Sequence, residues 1–132
     1  MADINAINPW TWQDQFSFSQ AIEVTGGQRV LYCAGQTSVD GDGRPLHAGN
    51  MAAQIGQALD NLETVLGQAH LTFANVVRLN YYTTNVAAFM EAAAMLGTRL
   101  RAGGCVPSAT LLGVAALFHP DILVEIEATA VA

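Results

Sequence analysis

Apolar residues recur at helical spacing along residues 51–69, the most regular stretch of the chain. The stripe consists of Met51, Ile55, Ala58, Leu59, Leu62, Val65, Leu66 and Ala69. Such a stripe predicts an amphipathic helix with its apolar side toward the core, and Asn50 is a suitable N-cap. The polar residues between these positions are predicted to face solvent: Gln54, Gln57, Asp60, Asn61 and Glu63.

A second helix is predicted after Asn85, which is another suitable N-cap. Its inner side carries Phe89, Ala93, Leu96 and Leu100. Arg99 and Arg101 fall in its last turn, where the helix dipole stabilises a positive charge. Gly103 and Gly104 predict its end, because glycine readily adopts the left-handed conformation that terminates helices.

Strands are predicted where β-branched and apolar residues dominate: residues 18–24, 29–37, 76–84, the stretch after Pro107, and residues 124–130. Gly35 interrupts the second of them and predicts a bulge, or a close approach of another backbone or a ligand. The predicted order is β-β-α-β-α-β-β. This order indicates an α+β fold with one mostly antiparallel sheet and two helices on one face.

Residues 1–15 precede the first predicted strand and include Pro9, Trp10 and Trp12. They are predicted to form an extended N-terminal arm that is packed by its tryptophans. Two roles stay open for it, namely docking of the terminus onto the body or a lid over a pocket. No repeat or linker divides the rest of the chain, so residues 1–132 are predicted to form a single domain.

The composition adds an expectation about assembly. Of the 132 residues, 52% are hydrophobic and 12% are charged, and this charged share is about half of that in a typical soluble domain. Two helices cover only one face of the sheet, whereas the strands are rich in Val, Leu and Ala. The second face is therefore expected to be buried against other subunits.

The charge excludes two classes of function. The net charge is −6, and all five basic residues are arginines. Without lysine, Schiff-base chemistry through a side-chain amine is impossible, and no binding to nucleic acid is expected because basic residues supply most of that affinity. The sequence begins with no basic-then-apolar leader and contains no apolar run of membrane-spanning length. A cytoplasmic protein without membrane contact is therefore expected.

Cys33 and Cys105 are expected to be buried free thiols, because free cysteine packs as a small hydrophobe. A disulfide and a metal pair are the alternatives. No histidine lies at ligand spacing from either cysteine, so no metal site is predicted.

Two carboxylates lie in the last predicted strand. Glu125 and Glu127 share a face with Thr129, and burying both without partners would be costly. In one interpretation, one glutamate forms a structural ion pair with Arg78 and the other faces solvent. In the second, partial burial raises the pKa of one glutamate toward neutrality, which suits a general acid or base or a group that orients water.

Six short segments carry a family resemblance. They are residues 18–21 (Phe-Ser-Gln-Ala), 32–36 (Tyr-Cys-Ala-Gly-Gln), 57–62 (Gln-Ala-Leu-Asp-Asn-Leu), 76–79 (Val-Val-Arg-Leu), 107–110 (Pro-Ser-Ala-Thr) and 124–128 (Val-Glu-Ile-Glu-Ala). With them the chain resembles the Rid family of reactive intermediate deaminases, also called YjgF-like proteins. The resemblance implies a chorismate-mutase-like fold and a homotrimer around a central β-barrel, with three pockets at the subunit interfaces. It also implies that no metal and no organic cofactor take part.

The resemblance further implies an activity, the hydrolysis of an enamine or imine to a keto acid and ammonia. In active members, an arginine in a Pro-Ala-Arg-Ser turn grips the substrate carboxylate, and a carboxylate of the last strand positions water. Glu125 matches that carboxylate and is the catalytic candidate. The positions implied to bind substrate are Phe18, Ala34, Gly35, Gln36, Ala109, Thr110 and Leu111.

The sequence departs from the family pattern at the pocket. Ala109 stands where the arginine is usual, and Phe18 lacks the usual hydroxyl. Ala34 replaces a small hydroxyl residue, and Leu111 replaces a cysteine. Because alanine cannot form the bidentate ion pair of an arginine, the ligand is expected to be less acidic and more apolar than a 2-imino acid.

Two functions are compatible with this pattern. The first is hydrolysis of small enamine- or imine-type substrates in an intersubunit pocket, with Glu125 orienting water and backbone N–H groups near Gly35 and Thr110 stabilising negative charge. The alternative is a non-catalytic trimer that binds a small metabolite. Arg99 or Arg101 of a neighbouring subunit is a further source of positive charge for such a pocket. A ribonuclease activity, sometimes attached to the family, ranks last because the chain is acidic and lacks lysine.

Overall fold

The computed structural model describes residues 2–132. In chain order its strands and helices are β1 (Asp3–Ile7), β2 (Ala21–Thr25), β3 (Val30–Thr37), α1 (Met51–Gln68), β4 (Val76–Thr83), α2 (Val86–Ala102), β5 (Ser108–Gly113) and β6 (Val124–Val131). Short 3-10 helices occupy Trp12–Phe16 and Phe73–Asn75.

Four strands form the main sheet, in the order β3-β6-β4-β5. Strand β6 pairs antiparallel with both β3 and β4, whereas β4 and β5 run parallel. The parallel pair arises because α2 connects β4 to β5, and a helical crossover returns the chain to the same end of the sheet. The predicted α+β fold with a mostly antiparallel sheet and two helices is confirmed.

The register of β3 against β6 shifts between Cys33 and Gln36. The bulge predicted at Gly35 is therefore confirmed. A bulge leaves residues without a ladder partner and redirects the strand. Here it brings Gly35 against the side chain of Glu125 in the neighbouring strand.

The hydrophobic core lies between the main sheet and the two helices. Helix α1 and alternate residues of β6 supply much of it: Ile55, Leu59, Leu62, Leu66, Val124, Ile126 and Ala128. Helix α2 adds Phe89, Leu96 and Leu100. Each fully buried aliphatic or aromatic side chain contributes about 1.5–3 kcal/mol, so the apolar stripe accounts for the position of α1.

Among the polar residues of α1 that are predicted to face solvent, Gln54 is buried, and Gln57 and Asn61 are partly buried. Gln54 is 0% exposed; its Nε2 donates to the carbonyls of His47 (3.1 Å) and Asp121 (2.7 Å), and its Oε1 accepts from the N–H of Leu123 (2.8 Å). Asn61 donates to two carbonyls at and beyond the end of β3 (2.9 and 3.0 Å). Irregular segments recruit these amides because their backbone groups lack ladder partners, and helical spacing does not reveal that need.

The segment predicted as an extended arm contains strand β1 and the short helix Trp12–Phe16. Strand β1 pairs antiparallel with β2, with Asp3 opposite Thr25 and Ile7 opposite Ala21. All five β1 residues are exposed. The strand therefore depends on backbone pairing with β2, which is why the hydrophobic pattern gives no sign of it.

The first strand after this segment starts at Ala21 and not at residue 18. The residues before it reach across to the chain that leads into β5. The Ser19 N–H donates to the carbonyl of Pro107 (2.8 Å), and its hydroxyl donates to that of Val106 (2.6 Å). These bonds hold residues 18–20 beside β5, so they cannot extend β2.

The open face, which is the face of the main sheet turned away from the helices, is polar at its centre. It presents Arg78, Asn80, Tyr82, Thr110, Glu125, Glu127 and Thr129. The expectation of an apolar second face is wrong here, because alternation turns the apolar residues of these strands toward the helices. Large apolar side chains are exposed on the two edge strands, namely Val30, Tyr32 and Leu112.

The predicted helix ends are confirmed. The side chains of Asn50 and Asn85 accept hydrogen bonds from the N–H groups of Ala53 and Ala88, both at 3.0 Å. Helix α2 ends at Ala102, Gly103 is its C-cap, and Gly104 follows with φ +77°. Within residues 2–132, no helix is both long and apolar enough to cross a membrane.

The two cysteines are free and buried, as predicted. Burial raises the pKa of the Cys33 thiol and raises that of Cys105 to about 12. Both thiols are therefore protonated at neutral pH and act as small hydrophobic side chains.

Gln54→Ala tests the amide that links α1 to the chain before β6. The change leaves the Asp121 carbonyl and the Leu123 N–H without their partner, and each buried group left unsatisfied costs about 1–3 kcal/mol. The His47 carbonyl still accepts from the N–H of Asn50. We expect the free energy of unfolding to fall by about 2–5 kcal/mol in urea denaturation. Gln68→Ala, at the exposed end of the same helix, should change it by less than about 0.5 kcal/mol. An equally small loss for Gln54→Ala would contradict this structural role.

Candidate functional site

A network of hydrogen-bonded side chains covers the centre of the open face. From β4, Nδ2 of Asn80 (3.0 Å) and the hydroxyl of Tyr82 (2.9 Å) both donate to Oε1 of Glu127. Arg78 donates to Oδ1 of Asn80 (3.1 Å) and to Oγ1 of Thr110 (2.6 Å). The network forms because β4 lies between β5 and β6, so alternate residues of three strands meet on one face.

This network corrects the ion pair predicted for Arg78. Among the residues that the structure describes, Arg78 has neither Glu125 nor Glu127 within 4.0 Å as an ion-pair partner. Its guanidinium donates to two neutral acceptors instead. Glu127 is held by two donors, and its hydrogen bond from Tyr82 raises the pKa of that hydroxyl, which therefore stays protonated at neutral pH.

Glu125 lies on the same face but outside the network. Its side chain makes no hydrogen bond or ion pair with another residue of the range 2–132. Partial burial raises the pKa of its carboxyl above the ordinary 4.5, and the charge of Glu127 raises it further. A partly desolvated carboxylate without a donor is available to orient water or to exchange a proton with a ligand.

The bulge in β3 places Gly35 directly beside the carboxyl group of Glu125. A Cβ built on Gly35 would lie 2.6 Å from Cδ and 2.8 Å from Cγ of Glu125. A side chain at position 35 would therefore displace the carboxylate. Ala34 is exposed at the bulge, and its carbonyl accepts a hydrogen bond from Nε2 of Gln36 (3.1 Å).

A cavity of about 610 Å³ lies on the helix-covered face of the sheet. Helix α2, strand β5 and the segment from Trp12–Phe16 to Phe18 enclose it. Three of the residues implied to bind substrate line it, namely Phe18, Ala109 and Leu111. Most of the remaining wall is apolar, with Phe16, Phe89, Met90 and Leu96 among its side chains.

Arg101 is the one charged side chain among the described residues that line this cavity. It lies in the last turn of α2 and donates to Oγ of Ser17. Ser17 ends the short helix in the left-handed conformation, with φ 61°, and is 9% exposed. A Cβ built on Gly97 would lie 2.6 Å from that Oγ, so the absence of a side chain at Gly97 lets Ser17 rest on α2.

The predicted site residues thus fall into two groups on opposite faces of the main sheet. Thr110 lies on the open face, and Ala34, Gly35 and Gln36 accompany Glu125 at the bulge. The cavity group consists of Phe18, Ala109 and Leu111. Because side chains alternate along β5, Thr110 points to the opposite face of the sheet from Ala109 and Leu111. The described part of a single chain does not join the groups into one pocket, since Glu125 is not among the cavity residues.

Arg101 was expected at the pocket only from a neighbouring subunit, and the structure places it in the cavity of its own chain. Ser17 and Gly97 carried no prediction. A glycine inside a helix costs about 1 kcal/mol relative to alanine, so Gly97 is a sequence signal for close packing. Nothing in the local pattern identifies Ser17, because its partners are distant in sequence.

The described residues offer no metal-binding cluster. No group of three or more His, Cys, Asp or Glu side chains among residues 2–132 is arranged to hold a metal ion.

A protein-family model described as endoribonuclease L-PSP matches residues 13–132. The chain is 32% identical over 114 residues to the 2-iminobutanoate/2-iminopropanoate deaminase of Mus musculus, covering 86% of this chain and 80% of that protein. It is 30% identical over 114 residues to Protein DfrA of Myxococcus xanthus, covering 86% and 84% of the two chains.

A solved structure gives a closer match. The crystal structure of YyfB from Yersinia pestis, a protein of unknown function of the conserved Rid protein family, is 36% identical. It covers 98% of both chains with a TM-score of 0.87. The similarity therefore extends over nearly the whole chain, including both faces of the main sheet.

The pH dependence of stability tests the environment of Glu125. Because the pKa of its carboxyl is raised on folding, ionising Glu125 opposes folding, and this cost appears as pH rises above 4.5 through the raised value. Glu125→Gln removes the ionisation. We expect Glu125→Gln to melt at a higher temperature than the parent at pH 7. At pH 4 this difference in melting temperature should be smaller.

The matched control is Glu91→Gln, which changes an exposed glutamate on α2. It should show no comparable gain between the two pH values. A difference between Glu125→Gln and the parent that does not depend on pH would contradict the assigned environment.

Proposed function

The chain belongs to the Rid family, whose sequence model is described as endoribonuclease L-PSP, and on this basis we propose that it hydrolyses small imines or enamines. The observation that carries the proposal is the state of Glu125. Its carboxyl group is partly buried, has no donor among the described residues, lies against Gly35, and has a raised pKa. The deaminase name of the Mus musculus relative supports the same chemistry.

In the proposed reaction, Glu125 orients a water molecule toward the carbon of the C=N bond and accepts a proton from it. Oxygen adds to this carbon, and the nitrogen receives the proton. The product of this addition is a carbinolamine, whose hydroxyl proton then passes to the nitrogen while the C=O bond forms and the C–N bond breaks, so the products are a carbonyl compound and ammonia. An enamine enters the reaction after tautomerising to the imine. A pKa above the ordinary carboxyl value suits this role, because the carboxylate is then a stronger base toward water than an ordinary glutamate.

We propose that the pocket is completed between subunits of a homotrimer. The support is geometric, since Glu125 and the cavity residues Ala109 and Leu111 lie on opposite faces of one sheet. A ligand that reaches both groups therefore needs two copies of the chain. The exposed apolar side chains of the edge strands, Val30, Tyr32 and Leu112, are suited to such a contact.

The alternative is a non-catalytic trimer that binds a small metabolite. It is favoured by one observation, the alanine at position 109 in place of the family's arginine. Ligand-dependent thermal stabilisation without turnover would support this alternative.

Ammonia release from freshly generated imines and enamines tests the hydrolysis, with apolar substrates assayed beside 2-iminobutanoate because Ala109 disfavours a short 2-imino acid. We expect the protein to accelerate release above the spontaneous rate, and Glu125→Gln to reduce kcat about a hundredfold or more, as removal of a general base does. Glu91→Gln is the control and should retain full activity. Hydrolysis that survives Glu125→Gln would refute the role given to Glu125, and no acceleration by the parent chain would favour the binding trimer.

Subunit mixing tests the shared pocket. Light scattering should give three times the 13.9 kDa of the chain. Glu125→Gln and Ala94→Trp, which fills the cavity from α2, should each be nearly inactive. Co-expressed in equal amounts, they should regain about a quarter of the parental activity, because a random trimer then contains intact combinations of two subunits. A monomer, or mixed trimers as inactive as the separate variants, would contradict the shared pocket.

A further inference from the structure

We propose that Arg101 anchors the carboxylate of a ligand whose aromatic body occupies the cavity, in place of the arginine missing at position 109. The inference rests on the proposed function in one respect, that this cavity is part of the same ligand site. Its basis is the location of the charge, since Arg101 and Ala109 line one cavity and no other lining residue in the described chain is charged.

The position of the guanidinium suits an anion. Long side chains of a helix point toward its N-terminus, and Arg101 follows this rule. Its Nη1 would lie 3.6 Å from a Cβ on Gly97, one turn earlier in α2, and it donates to Oγ of Ser17. The charge is thus set back from the last carbonyls of the helix, whose partial negative charge would disfavour an anion.

Arg101 also lacks a carboxylate of its own. Within residues 2–132, no Asp or Glu oxygen lies within 4.0 Å of it, although the chain carries 11 acidic residues. Arg99, two positions earlier, contrasts with it. Arg99 pairs with Asp60 at 2.6 Å, donates to the carbonyl of Gly56 at 3.1 Å and covers the ring of Phe73. Of the two arginines in this turn, only Arg101 has a positive charge that no acidic side chain of the described residues neutralises.

The walls indicate what accompanies the carboxylate. Phe16, Phe18 and Phe89 line the cavity, and the ring of Trp12 packs edge-on against Phe18 at 5.9 Å. A space of about 610 Å³ lies within the range of pockets that enclose drug-sized molecules, about 300–1,000 Å³. Aromatic rings pack favourably against such walls in edge-to-face or offset arrangements. The ligand class is therefore an aryl-substituted carboxylate, more apolar than a short 2-imino acid.

Calorimetric titration of the assembled protein with three probes tests this inference. They are 3-phenylpropanoate, its uncharged amide 3-phenylpropanamide, and propanoate, which lacks the ring. We expect 3-phenylpropanoate to bind at least about tenfold more tightly than either of the other two. Arg101→Gln should abolish the preference for the acid over the amide, whereas the matched control Arg99→Gln should keep it.

The inference is overturned if the parent protein does not discriminate between acid and amide, or if Arg101→Gln discriminates as well as the parent. If Arg101→Gln fails to fold, a measurement on the unmutated protein still tests the inference. The guanidinium resonances of Arg101 in a nitrogen-15 spectrum should shift with 3-phenylpropanoate and not with its amide, and unmoved resonances would overturn the inference.

These readouts need no turnover. Binding that depends on Arg101, without ammonia release, would refute the proposed hydrolysis alone. Ammonia release, together with binding of 3-phenylpropanoate that Arg101→Gln does not weaken, would refute this inference alone.

Discussion

The register of β6 is the constraint on which both the core and the candidate site depend. This strand pairs with β3 on one side and β4 on the other. Its alternate residues Val124 and Ile126 are 0% exposed beneath the helices, while Glu125 and Glu127 face the opposite way. A slip of one residue would exchange the two sets and place carboxylates in the core. Burial of the apolar residues of β6 therefore determines which face of the sheet carries the two carboxylates.

The two glutamates of β6 share a face and differ through their neighbours. Glu127 meets β4, where Asn80 and Tyr82 each donate a hydrogen bond to it. Glu125 meets the bulge of β3, where Gly35 offers space and no donor to its side chain. One carboxylate is thereby fixed as part of a network, and the other keeps its lone pairs free. The charge of the first also makes ionisation of the second more costly, so the network acts on the candidate site without touching its ligand.

The sequence predicts those parts of the molecule that depend on nearby residues. The stripe of α1, its cap Asn50 and the bulge at Gly35 are local features, and the structure contains them. Strand β1 and the buried Gln54 depend on what the chain meets after folding, such as the backbone of β2 or the carbonyl of Asp121. The candidate site divides in the same way. Its carboxylate strand follows from alternation, whereas the place of Arg101 beside Ser17 follows from a contact between distant segments.

The contact between Ser17 and Gly97 has a consequence for descent within the family. The two residues compete for one small volume, since a Cβ at position 97 would meet the serine hydroxyl. A lineage that acquires a side chain at position 97 must first withdraw residue 17, and with it the end of the short helix that it terminates. A substitution at one of the two positions therefore requires a change at the other. Across relatives we expect the two positions to co-vary. Relatives with glycine at position 97 should keep residue 17 packed against α2, and relatives with a larger residue there should not.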